Sequence, residues 1–306
     1  MTCPANAARR TSVLAAAALL SLWIERPATS APDGASPSQS GSVAGQAPRS
    51  ALQSPCPGCG FAPEPIDPND YSGWTQIFDG TSLAGWDGNP EVWRVEGGAI
   101  TAISTTERKL GTTYIIWRGG EPGDFELKLE MKADRDIHSG VFYRGKVGPN
   151  PPRPGAPARG AGGATPPRPQ PSFAVPADPK WNVTGYSLDF DYDRDNDGNI
   201  QDTSGRSETQ IVWRGHIVRM EAGKRPRSIG SLGDRDALMG RIAQGEWNAL
   251  HIIARGNQLT HIVNGQVMAM LVDDDPAGLK TKGVIALQIE QYGLGRVSFR
   301  NIWLKQ

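Results

Sequence analysis

The 306-residue chain has little cysteine, little histidine and no net charge. Its 32 basic residues balance 32 acidic ones, which removes the basic excess that a surface for nucleic acid or anionic membrane needs, and a neutral oligosaccharide or glycoside fits better as partner. A G-x-S-x-G elbow, a P-loop and a dinucleotide fingerprint are all missing, which argues against esterase, NTPase and dehydrogenase chemistry. Of the four histidines, His216, His251 and His261 sit in strand-like runs without metal-ligand spacing and read as structural. His138 is the one with a candidate role, in substrate binding.

The one strongly apolar run, Val13 to Ile24, is too short to span a bilayer after processing. It follows Arg9 and Arg10 and precedes the small residues Ala28 to Ala31, the layout of a secretory signal cleaved near Ala31. A secreted or periplasmic protein without membrane insertion is expected. The arginine pair suggests the twin-arginine route, from which Ser12 departs. With Cys3 in the signal, Cys56 and Cys59 remain, as C-P-G-C between Pro/Gly-rich flanks, and a small local disulfide suits them better than redox or zinc chemistry.

Glycine and proline, in contrast, are abundant, at 37 and 25 residues. Residues 32–65 form a Pro/Ser/Gly-rich linker that cannot bury enough apolar surface to offset ordering. A second such stretch, about 145–179, reads as a disordered insertion between two strands of a single domain spanning 66–306. The remainder alternates like sheet. In D-F-E-L-K-L-E-M-K, Phe125, Leu127, Leu129 and Met131 share one face and Glu126, Lys128, Glu130 and Lys132 the other. About a dozen such runs, with turn signals such as Asn264-Gly265 between them and no convincing helix, indicate an all-β protein of two antiparallel sheets packed face to face.

Several segments carry a resemblance: W-T-Q-I-F-D-G-T-S-L-A-G-W from Trp74, W-R-V-E-G-G-A-I from Trp93, D-F-E-L from Asp124, S-G-V-F-Y-R from Ser139, E-W-N from Glu246, V-N-G from Val263, G-V-I-A-L-Q from Gly283 and F-R-N-I-W-L from Phe299. Together they resemble the 3-keto-disaccharide hydrolase family, over roughly residue 66 to the C-terminus apart from the insertion. The resemblance implies the jelly-roll antiparallel β-sandwich of concanavalin A-like lectins and glucanases, with function in a trough on one sheet. It implies cleavage of the glycosidic bond of 3-keto-glycosides or 3-keto-disaccharides; a non-catalytic, lectin-like carbohydrate-binding module is the alternative on the same fold.

The candidate site residues follow from strand alternation and charge. In G-Y-S-L-D-F-D, Tyr186, Leu188 and Phe190 face one way and Ser187, Asp189 and Asp191 the other. Ser187 stands where the family has an acidic or amide residue. Gln288 and Glu290 share a face of Q-I-E-Q-Y, Glu290 at a position where relatives often carry histidine. Asp189 and Glu290 are the expected catalytic carboxyls, one as base and one as acid, and Arg144 is expected either to clamp an oxyanion or to form a rim ion pair with a nearby carboxylate. Gln288, Tyr186, Ser187, Trp213 and His138 are expected to bind substrate, Trp213 by stacking. Asp193, Asp195 and Asp197 before Gly198 reproduce the opening of a Ca²⁺ loop, but the twelfth position is Ser204 rather than glutamate, so either a calcium site or a solvated acidic turn is expected.

Overall fold

The computed structural model describes residues 70–134, 136–151, 173–191, 195–206 and 209–306. The expected signal, the linker, Cys56, Cys59, Asp193 and most of the insertion lie outside the described residues. The first strands are β1 (Thr75–Gln76), β2 (Trp86–Gly88), β3 (Arg94–Glu96), β4 (Ala99–Ser104), β5 (Thr113–Trp117), β6 (Phe125–Ala133) and β7 (Ile137–Val147). Then come β8 (Val183–Phe190), β9 (Ile200–Asp202), β10 (Gln210–Val212), β11 (His216–Glu221) and β12 (Arg227–Ser231). One short helix, α1 (Arg235–Met239), precedes β13 (Asn248–Arg255), β14 (Gln258–Val263), β15 (Gln266–Asp274), β16 (Val284–Gly293) and β17 (Gly295–Lys305). No helix among the described residues is long and apolar enough to cross a membrane.

The strands form two sheets. A ten-stranded sheet runs β12-β11-β15-β14-β13-β6-β17-β4-β3, with β1 against β17, and a seven-stranded sheet runs β10-β9-β8-β7-β16-β5-β2. Pairing is antiparallel except between β11 and β15, which run parallel. Period-two patterning explains why these segments are strands: Phe125, Leu127, Leu129 and Met131 of β6 are buried while the residues between them are half-exposed. The inward rows of both sheets, among them Ile115, Val141, Leu188, Leu287 and Ile289 from the seven-stranded sheet, merge into one core with Leu127, Ile252 and Phe299 from the other. The Asn264-Gly265 hairpin forms as its dipeptide requires, with φ of 51° and 78° joining β14 to β15.

Two sequence expectations are corrected here. Strand β7 does not stop before the insertion but continues to Val147, and Val175 on the far side returns to bridge Leu110. More important is Arg144. Regular alternation after the inward Tyr143 would send it to the outer face, where a substrate would meet it. Instead its φ is +46° and the β7–β8 register shifts between Tyr143 and Lys146, a bulge that swings the side chain to the end of the sandwich. There Nε donates to the Gly123 carbonyl at 3.0 Å, and Nη1 to those of Gly256 and Lys280 at 2.7 and 2.9 Å. Nη2 meets Asp124 at 3.2 Å, and the guanidinium is fully enclosed. The arginine is a staple for three loop carbonyls, not an oxyanion clamp.

Replacing it by alanine removes three charge-assisted hydrogen bonds that tie separate loops together, so Arg144→Ala is expected to destabilise the fold by about 3 kcal/mol, read as a lower urea midpoint. An unchanged midpoint would contradict the staple.

Candidate active site

The site lies on the outer face of the seven-stranded sheet, because each inward apolar residue leaves its chain neighbours facing out. Inward Leu188, Leu287, Ile289 and Ile115 thus place Asp189, Gln288, Glu290 and Tyr114 outside. Register then brings them together. Asp189 of β8 is opposite Gly140 of β7, Gly140 is opposite Gln288 of β16, and Gln288 is opposite Tyr114 of β5. This row of four crosses four strands and has one missing side chain. A Cβ at position 140 would stand 3.4 Å from Gln288 Oε1 and 3.6 Å from Asp189 Oδ1, so the glycine leaves a hollow that both oxygens border.

A pocket of about 500 Å³ opens over this row. Its wall includes Asp189, Gln288 and Glu290 with His138 and Tyr114, and on the β9 side Gln201 and Arg206. Gln288 organises one half: its Nε2 donates to Tyr114 Oη at 2.9 Å and to Glu290 Oε1 at 3.0 Å. Its Oε1, buried, accepts nothing within the described structure and is left for a ligand hydroxyl. Glu290 Oε2 lies 3.9 Å from His138 Nδ1. In the other half Gln201 Nε2 donates to Asp189 Oδ2.

Charge is unevenly distributed over these groups. Burial drives the Asp189 carboxyl well above the usual carboxylate range, and the nearby acids Glu290, Asp191 and Asp197 push it further. Glu290 is also raised by burial, with the Gln288 amide pulling the other way. Tyr114, raised by burial and then by Glu290, stays a phenol throughout the working range. The pocket therefore brings together two carboxyls whose burial favours the protonated form, Asp189 more strongly than Glu290, and a neutral hydroxyl donor.

Of the residues picked from the sequence, Asp189, Gln288, Glu290 and His138 line this pocket and Arg144 does not. Tyr186 is not a substrate ligand: it faces the core, and its hydroxyl donates to buried Asp273. Asp273 is also bound by Arg206 Nη2 at 2.5 Å, and Asp202 by Arg206 Nε at 2.7 Å and Lys280 Nζ at 2.6 Å. Ser187 lies on the outward face but is fully buried and does not border the pocket. Trp213 is exposed but stands apart from the pocket, with the Arg235 guanidinium 4.4 Å over its ring. Tyr114 and Gln201 were missed, although the alternation around Ile115 and Ile200 marks both as outward.

Of the acidic stretch, Asp193 lies outside the described residues. Asp195 is exposed beside Arg235 at 3.4 Å, whereas Asp197 is buried and accepts the Asp191 N–H at 2.8 Å. Past them the chain enters strand β9 at Ile200. Among the described residues no group of three His, Cys, Asp or Glu is arranged to hold a metal ion.

A two-sheet sandwich whose outward face carries paired acids in a polar pocket belongs with carbohydrate-active domains. The chain belongs to the 3-keto-alpha-glucoside-1,2-lyase-like domain family, whose model matches residues 73–305. No curated protein matches it. Among solved structures it is similar to a Parabacteroides distasonis protein provisionally described as a glycosyl hydrolase, at 22% identity and TM-score 0.43 over 76% of this chain and 98% of that one. It is also similar to the carbohydrate-binding module CBM66 from Bacillus subtilis, at 12% identity and TM-score 0.38 over 76% and 96%. A third likeness is to a Bacillus licheniformis β-glucanase, at 10% identity and TM-score 0.39 over 76% and 97%.

The raised Asp189 carboxyl makes a prediction about stability. A carboxyl whose proton is held more tightly in the folded than in the unfolded chain favours folding below its unfolded pKa of about 4, and that advantage is lost as pH rises toward the folded value. Asp189→Asn removes the pH-dependent loss, so its melting temperature should exceed that of the wild type at pH 7 and the gap should close toward pH 4. A variant less stable by the same amount at every pH would contradict the protonated carboxyl.

Proposed function

We propose that this domain cleaves the glycosidic bond of a glycoside oxidised to a ketone at C3, by elimination followed by hydration. The observation that carries the reading is the pair of raised acids, Asp189 and Glu290, flanking Gln288 and Tyr114 in one pocket of a domain of this family. The C3 ketone acidifies the hydrogen on C2. Glu290, the acid nearer to ionisation, takes that proton; the C2–H electron pair forms the enolate, and negative charge gathers on the ketone oxygen. Tyr114, held by the Gln288 amide and still carrying its proton, is the donor suited to that oxygen, the role first expected of Arg144. The enolate re-forms the ketone as the C1–O bond breaks, and Asp189 gives its proton to the departing glycosidic oxygen. Water then adds across C1 and C2, its hydroxide to C1 and a proton to C2, returning a 3-keto sugar.

The same chemistry explains why two acids are raised rather than one. A base that must ionise and an acid that must not can share a pocket only if their environments separate their proton affinities; here burial, with neighbouring acids adding to it, raises Asp189 far, while the Gln288 amide pulls Glu290 back down. The balanced charge of the chain suits a neutral substrate, and the secretory layout of residues 9–31 supports action outside the cytoplasm.

Incubation of the purified protein with a 3-keto-glucoside should release the aglycone, with kcat/KM rising on a limb whose apparent pKa lies above the ordinary glutamate value of about 4.3. Glu290→Gln should lower kcat by about 10²- to 10⁴-fold with the fold intact. Saturable sugar binding with no release of aglycone would refute the enzyme and leave a carbohydrate-binding module.

A further inference from the structure

Strand β16 is irregular where it borders the pocket. Ile289 pairs with Ser139 and Gly293 with Ile137, so the chain from 289 to 293 faces only the chain from 139 to 137. The excess is a bulge, a device that re-aims side chains. Gly293 makes the strand's return possible: its φ is +78°, and a Cβ there would fall 1.5 Å from the Asp136 carbonyl oxygen. Within the bulge the Gln291 N–H donates to Thr112 Oγ1 at 3.1 Å, which fixes the loop on the β5 side. The next side chain is Tyr292.

Its ring is 56% exposed, the most open of the large apolar side chains among the described residues, yet it lines the same pocket as Glu290 two positions before it. The ring centroid lies 5.7 Å from that of His138, inclined at 59°, so one edge is braced while a broad face stays open. Tyr292 therefore gains little from burial in the folded protein. A pyranose presents a flat array of C–H groups on one side and hydroxyls around its rim. An aromatic face at the mouth of a pocket covers the first without competing for the second.

We propose that Tyr292 is the stacking platform for the sugar ring whose C2 hydrogen faces Glu290, held over the pocket by the Gly293 bulge; this rests on the reading of the pocket as a 3-keto-glycoside site. The contact is made by ground state and transition state alike, so it lowers KM and leaves kcat alone. It uses the ring and not the hydroxyl. Because stacking reads flatness rather than hydroxyl pattern, the platform fixes the plane of the sugar and leaves discrimination to the Gly140 row. It also takes over, beside the reacting carbon, the stacking function first expected of Trp213.

The test measures steady-state kinetics on a 3-keto-glucoside for the wild type and for Tyr292→Ala, Tyr292→Phe and Tyr292→Trp, with thermal melts to confirm equal folding. The alanine variant should raise KM about tenfold with kcat within about twofold, and phenylalanine and tryptophan should restore the wild-type KM. Wild-type turnover with KM unchanged in the alanine variant overturns the platform alone. A raised KM that phenylalanine does not restore assigns the effect to the hydroxyl and also overturns it. No turnover by the wild type overturns the reading of the pocket and the platform with it.

Discussion

Asp189 is a carboxyl largely withdrawn from solvent, on a strand whose eight residues are all buried. That placement constrains everything around it. A buried carboxyl must be paired, hydrogen-bonded or protonated, and no cation among the described residues is paired with this one. Its neighbours are instead Gln201, which donates a hydrogen bond, and acids, which repel a second charge. Arg206, which also borders the pocket, is committed to Asp202 and Asp273, and Lys280 to Asp202. Asp202 and Asp273 are neutralised by Arg206 and Lys280, whereas Asp189 is held by the Gln201 amide and by burial that favours its protonated form.

The second constraint is the missing side chain at Gly140. Four strands contribute to the row Asp189, Gly140, Gln288, Tyr114, and a side chain in the second place would fill the space that Asp189 and Gln288 border. The irregularities of β7 and β16 serve opposite ends of this arrangement. The bulge at Arg144 withdraws a cation from the outer face and uses it to fasten loop carbonyls, so no fixed positive charge from that strand reaches the row. The bulge before Gly293 pushes an aromatic ring out over the pocket instead.

Regular strands made most of this legible in the sequence. The alternation of β6 and the segment from Tyr186 to Phe190 fixed which residues face the core, and so put Asp189, Gln288 and Glu290 on one face before any coordinates. The same rule would have found Tyr114 beside Ile115 and Gln201 beside Ile200, had each strand been followed to its outward face. Arg144 and Tyr292 were hidden for a different reason. Each sits in a bulge, where positive φ or added residues break the two-residue period, and nothing in S-G-V-F-Y-R or Q-I-E-Q-Y reveals that break. Tyr186 followed the period, but a role was given to it that its inward direction forbids.

The central claim is that proton removal from C2, next to a C3 ketone, precedes cleavage of the glycosidic bond. Hydrogen–deuterium exchange tests it directly: a 3-keto-glucoside is incubated with the protein in D₂O and C2 is followed by NMR. The account predicts deuterium at C2 of the released sugar, introduced only when Glu290 is intact. Release of a sugar that still carries its original C2 hydrogen would mean direct displacement at C1, and would contradict it.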